Sequence, residues 1–215
     1  MTLMRVRVFT RFERFWHWSQ AALILALIFT GAGLHGFHRV LKFGDMLTIH
    51  VAAALALMLL WIFAIFWHLT TGQWRHYRPT TEGLGQIIRF YSIGIFRGDP
   101  HPFRKTWRRK HNPLQALTYL MLKLVLNPLI WASGLALLLY DLWRKEPWAA
   151  GGLEAVATAH TAAAFLMVAF LIMHVYVITT GETFSEQIET MVTGYDRMEI
   201  DPAEAEVLKR DGALG

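Results

Sequence analysis

The sequence predicts an all-α membrane protein, a four-helix transmembrane bundle with its N and C termini in the cytoplasm. Two observations carry that prediction. First, 54% of the 215 residues are apolar, and they gather in four stretches at about 16–34, 46–69, 114–140 and 153–180. Each is long enough to cross a hydrocarbon layer about 30 Å thick, which takes about 20 residues at a helical rise of about 1.5 Å. Second, the basic residues lie on alternate connections. Arg5, Arg7, Arg11 and Arg14 precede the first span, and Arg75, Arg78, Arg89, Arg97, Arg104, Lys105, Arg108, Arg109 and Lys110 follow the second. The other two connections carry Arg39 and Lys42, and Arg144 and Lys145. An excess of Lys and Arg marks the cytoplasmic side, so the long connection and both termini are expected there. Residues 1–200 then form one transmembrane domain and 201–215 a cytoplasmic tail.

Taken in order, each span has its own punctuation. Trp16, His17 and Trp18 open the first, and no small-x-small cleavage signal is clear near Gly36. It is therefore expected to be a retained span and not a signal peptide. The second runs from His50 toward His68, Leu69, Thr70 and Thr71. Asn112 and Pro113 open the third as a cap and first-turn proline. Within it, Pro128 removes a helical hydrogen bond, and Lys123 has three possible roles: to snorkel to the interface, to approach an anionic group of a bound cofactor, or to relay protons. Beyond the fourth, Glu182, Glu186 and Glu189 suggest an amphipathic helix, and the stretch with Asp201 to Glu206 a loose terminus.

Composition removes several function classes. The net charge of +5 is the topological asymmetry of the loops and fits anionic lipid better than nucleic acid. No cysteine is present, which excludes disulfides, thiolate zinc sites, covalently attached c-type heme and an iron-sulfur cluster in this chain. No His-Glu-x-x-His pattern occurs, and no internal repeat is evident.

The histidines carry the chemistry. His160 and His174 are fourteen residues apart in the fourth span, nearly four turns, so they share one face about 21 Å apart along the axis. Polar groups at membrane depth are costly and usually functional, and neutral imidazole is the usual axial ligand of b-type heme. Depth then pairs His50 with His160 toward the periplasm and His17 with His174 toward the cytoplasm. His68 competes for the inner position, being eighteen residues, five turns, after His50. Its polar neighbours place it at the headgroup boundary, which favours His17. His35, His38, His76, His101 and His111 fall in loops or at interfaces and read as solvated surface. The plain alternative for every span histidine is helix packing through hydrogen bonds. Gly31, fourteen residues after His17, would leave room for the outer porphyrin, with Gly33 and Gly134 as further candidates; small residues also serve ordinary helix packing.

These segments, Arg14-Phe-Trp-His17-Trp, Ile49-His50 and the His160/His174 pair, resemble the cytochrome b subunit of bacterial formate dehydrogenases and of related nickel-iron hydrogenases and thiosulfate reductases. The resemblance runs from about Arg11 to Arg197. Its most specific further element is Lys110-His-Asn112-Pro-Leu-Gln115. In the formate dehydrogenase branch a similar Asn-x-x-Gln stretch borders a quinone site, which implies Asn112 and Gln115 as quinone-site residues here. This chain has Pro113 and Leu114 where that branch has smaller residues. The resemblance implies two hemes b, a menaquinone or ubiquinone, a bacterial cytoplasmic (inner) membrane, and a periplasmic iron-sulfur or cytochrome subunit as partner. The function expected is electron transfer between that partner and the quinone pool. A stand-alone di-heme quinone oxidoreductase, such as a superoxide oxidase drawing an anion to Arg39 and Lys42, is the alternative; a non-heme anchor or metal transporter is a third reading.

Overall fold

The computed structural model describes residues 2–74, 82–99, 112–179, 185–210 and 212–214. Four of its helices are long and apolar enough to cross a membrane: α1 (Arg11–Leu34), α2 (Phe43–Thr71), α4 (Pro113–Leu138) and α5 (Ala149–Ile178). Many of their large apolar side chains, Leu59, Ile62, Phe66, Leu124, Phe165 and Ile172 among them, are exposed. That is how helices meet lipid, since hydrocarbon solvates them as well as a core would.

The helix ends follow from local chemistry. At the start of α1, the Thr10 backbone N–H donates to Glu13 Oε2 at 2.8 Å and the Glu13 N–H to Thr10 Oγ1 at 3.2 Å. This reciprocal capping box satisfies two of the donors a helix start leaves open. At its far end the Phe37 N–H reaches back to the Ala32 carbonyl at 3.0 Å while Gly36 turns left-handed at φ 81°, a Schellman stop. In α4 the turn Leu122–Leu126 is a π turn containing Lys123. It immediately precedes Asn127-Pro128, where the proline ring would crowd the Leu124 carbonyl of a regular helix.

The chain divides into two compact units. One comprises Trp18–Phe66 and Met121–His174. Ala53, Leu57, Trp61, Ala64, Ala163 and Met167 are buried in it, and Trp61 meets Trp131 edge to face at 5.8 Å.

The other comprises Met1–His17, Trp67–Leu120 and Val175–Gly215. It includes α3 (Leu84–Arg89), followed by a π turn at Phe90–Gly94, and α6 (Glu186–Thr193). Here the structure corrects the expectation of a loose terminus and adds strand to an all-α reading. Strand β1 (Thr2–Arg7) pairs antiparallel with β2 (Tyr195–Ile200), Thr2 opposite Ile200 and Arg7 opposite Tyr195. Helix α7 (Pro202–Arg210) closes over them, so that Val6 and Leu208 are fully buried with Val8, Met198, Ile200, Ala205 and Ala213. Alternation did this: Asp196, Met198 and Ile200 of β2 are buried while Arg197 and Glu199 are exposed. Gly194 is required at the corner. It is left-handed at φ 87°, and a Cβ there would lie 2.7 Å from the Phe9 carbonyl oxygen. The Glu182 part of the expected amphipathic helix lies outside the described residues; its Glu186–Thr193 part is α6.

Candidate functional site

His50 and His160 face one another, their ring centres 6.3 Å apart and their planes at 72°. A metal held between two imidazoles, about 2 Å from each coordinating nitrogen and with each nitrogen roughly 1 Å from its ring centre, sets those centres roughly 6 Å apart. The pair therefore has the separation that one axially ligated heme iron requires. Among the described residues there is no group of three or more His, Asp or Glu arranged to hold an ion.

The protonation of each ring is set by what its Nδ1 touches. The Thr30 hydroxyl donates to the Ala26 carbonyl at 2.7 Å, and its oxygen is 2.9 Å from His50 Nδ1. Having given its hydrogen to Ala26, that oxygen accepts, so His50 Nδ1 carries the proton. His160 repeats the arrangement. Ser133 donates to the Leu129 carbonyl at 2.7 Å and lies 3.1 Å from His160 Nδ1, which is also 3.2 Å from the Ile130 carbonyl, an acceptor only. Both neutral rings thereby keep the lone pair on Nε2, the atom a metal takes. Thr30 and Ser133 are buried. Sequence reasoning did not single them out.

Two of the glycines lie beside the histidine pair. A Cβ on Gly31 would stand 3.4 Å from His50 Cε1, and one on Gly134 would stand 3.1 Å from His160 Cε1. Their missing side chains leave room for the imidazoles of His50 and His160. Gly33 is covered by Met46 and His38 and is a packing position. The two halves of the site are thus a local repeat, Thr30-Gly31 on His50 and Ser133-Gly134 on His160, in a chain whose sequence shows none.

The other predicted residues lie elsewhere in the two units. His174 lies on α5 and stacks on Phe170 at 5.8 Å, one turn away. His17 belongs to one compact unit and His174 to the other. His68 is buried, 5.3 Å from the Trp16 ring and 5.0 Å from the Trp67 ring, both edge to face. His38, partly exposed in the connection after α1, stacks on Phe29 at 4.4 Å, and its Nε2 meets the Phe29 carbonyl at 2.8 Å. His35 Nε2 is 3.4 Å from Thr161 Oγ1. His76, His101 and His111 lie outside the described residues.

Asn112 and Gln115 form a second capping box. The Gln115 N–H donates to Asn112 Oδ1 at 2.8 Å and the Asn112 N–H to Gln115 Oε1 at 3.1 Å. Two N–H donors fix both amides oxygen-inward, so Asn112 Nδ2 points to the Tyr91 hydroxyl at 3.3 Å and Gln115 Nε2 takes no part in the cap.

Comparison with known proteins agrees with this picture. Residues 8–194 match the family model described as prokaryotic cytochrome b561. A relative from Escherichia coli (strain K12), named "Putative cytochrome YdhU", is 30% identical over 203 residues, 90% of this chain and 75% of the relative. No solved structure matches.

Proposed function

The chain belongs to the prokaryotic cytochrome b561 family, of the nickel-iron hydrogenase and formate dehydrogenase cytochrome b type, and we propose that it carries electrons between a periplasmic redox partner and the quinone pool through two hemes b. The observation that carries this reading is the His50–His160 pair, two imidazoles with ring centres 6.3 Å apart between apolar spans, each with its Nδ1 beside a hydroxyl oxygen. These two would hold the outer heme, and His17 with His174 the inner one. A heme iron with both axial positions filled by histidine supplies one-electron transfer and leaves no open site for oxygen chemistry. The chain's own part would be to offer four imidazoles to the two hemes, exclude water with apolar spans, and hold His160 and His174 about 21 Å apart along α5, the rise over fourteen residues.

Gln115 supports a quinone site at the cytoplasmic start of α4. Its Nε2 can donate to a quinone carbonyl while its Oε1 continues to hold the Asn112 cap. The excess of Lys and Arg on alternate connections supports cytoplasmic termini in a bacterial inner-membrane protein. The partner, an iron-sulfur or cytochrome subunit, would supply the cluster or covalently attached c-type heme that a chain without cysteine cannot.

One observation favours a stand-alone quinone oxidoreductase as a second reading. A cavity of about 520 Å³ in the first outer connection is lined by His38, Arg39 and Lys42, with Phe43 and Met46 beneath, and such a pocket would attract a small anion such as superoxide. Purification under mild detergent decides. A co-purifying redox polypeptide supports the subunit reading, and an isolated protein that reduces quinone with superoxide supports the other.

A further inference from the structure

We infer that Thr30 and Ser133 are positioning residues that set the redox potential of the outer heme, acting through the imidazoles of His50 and His160. The inference rests on the proposed ligation of that heme by those two histidines. Each hydroxyl does two things at once. It gives its hydrogen to its own helix, Thr30 to Ala26 and Ser133 to Leu129, both at 2.7 Å. It then presents its oxygen to a ring N–H, at 2.9 Å for His50 and 3.1 Å for His160. A hydroxyl whose hydrogen is committed in this way can only accept, so it draws the Nδ1 proton and leaves Nε2 richer in electrons. A more basic axial ligand favours the oxidised iron and lowers the potential. In an apolar span with no competing water the effect is not screened.

Three features separate this from ordinary packing. The arrangement occurs twice, on different helix pairs. In both cases a glycine follows the hydroxyl residue and lets the ring lie against the helix, Gly31 beside His50 and Gly134 beside His160. Finally, Thr30 and Ser133 stand twenty and twenty-one residues after the caps Thr10 and Asn112. The extra residue in α4 falls in a helix with a π turn at Leu122–Leu126, which takes up one residue without rotating the rest of the helix.

The test is a spectroelectrochemical titration of the purified full chain with its hemes, comparing wild type with Thr30→Val, Thr30→Ser and Ser133→Ala, alongside a heme count. Thr30→Val keeps the shape and removes the acceptor. It is expected to raise the midpoint of one heme and leave the other in place, by about tenfold in the oxidised-to-reduced ratio at fixed potential, or about 59 mV for one electron. Ser133→Ala should move the same heme in the same direction. Thr30→Ser, which retains the oxygen, should keep the wild-type midpoint. If Thr30→Val loses that heme altogether, retention of the heme at its normal midpoint in Thr30→Ser supports the inference. Unshifted midpoints in Thr30→Val and Ser133→Ala with both hemes present overturn it, as does a Thr30→Ser protein that behaves like Thr30→Val. Failure of the ligation reading is distinguishable: it shows as two hemes retained in His50→Ala.

Discussion

Gln115 Oε1 accepts the Asn112 backbone N–H at 3.1 Å while Asn112 Oδ1 accepts the Gln115 N–H at 2.8 Å, so one residue pair both starts α4 and orients the Gln115 NH2 group, the proposed donor to a quinone. The two roles separate by substitution. Gln115→Glu keeps a cap acceptor and loses the NH2 donor. Its thermal stability should stay near wild type, while heme oxidation by a soluble quinone analogue in stopped flow slows about five- to a hundredfold, the loss of about 1 to 3 kcal/mol for one donor. Asn112→Ala should instead lower stability by about 1 kcal/mol through the cap. Wild-type rates in Gln115→Glu would leave the cap as the whole role of that residue.

His17 and His68 are distinguished by heme content. His68 is buried between Trp16 and Trp67, so His68→Ala should cost stability by opening a cavity. It should nevertheless keep two hemes, whereas His17→Ala should lose the inner one. The reverse pattern would make His68 the ligand.

The glycines should respond unequally. At Gly134 a methyl would press on His160 Cε1 at 3.1 Å, and at Gly31 it would meet His50 Cε1 at an ordinary 3.4 Å. Gly134→Ala should therefore perturb the outer-heme absorption spectrum or its occupancy more than Gly31→Ala does. Equal and negligible effects would show that neither close approach constrains the rings.

The π turn makes a prediction about deletions. Val125 sits in it with its side chain half exposed. Removing Val125 should restore a regular α-helix with Ser133 and Gly134 still on His160, and the outer heme should be retained. Removing Leu25 from the regular helix α1 turns everything beyond it by about 100°, carries Thr30 away from His50, and should lose that heme. Heme counts on the two deletions compare them directly.

Long-range periodicity made part of this architecture legible in the chain itself. Apolar length marked the four spans, and His50 and His160 stood out because a polar group at that depth has to be explained. Thr30 and Ser133 were hidden, since a hydroxyl that bonds its own i−4 carbonyl is ordinary in any apolar helix; only the repeated hydroxyl-glycine dipeptide, twenty and twenty-one residues after a cap, could have exposed them. Pairing of β1 with β2 was hidden for another reason. It joins residues nearly two hundred positions apart, and strands of six residues with few apolar positions give too weak an alternation to compete with the helical pattern around them. The burial of His68 was hidden because one of the rings around it, Trp16, comes from another helix.

The most direct measurement is the heme count by pyridine hemochrome on the purified protein, quantified against chain concentration. Two hemes b per chain are expected in the wild type, with one remaining in His50→Ala and in His160→Ala and the inner-heme spectrum unchanged. A single heme in the wild type, or two in either variant, would contradict the pairing of His50 with His160.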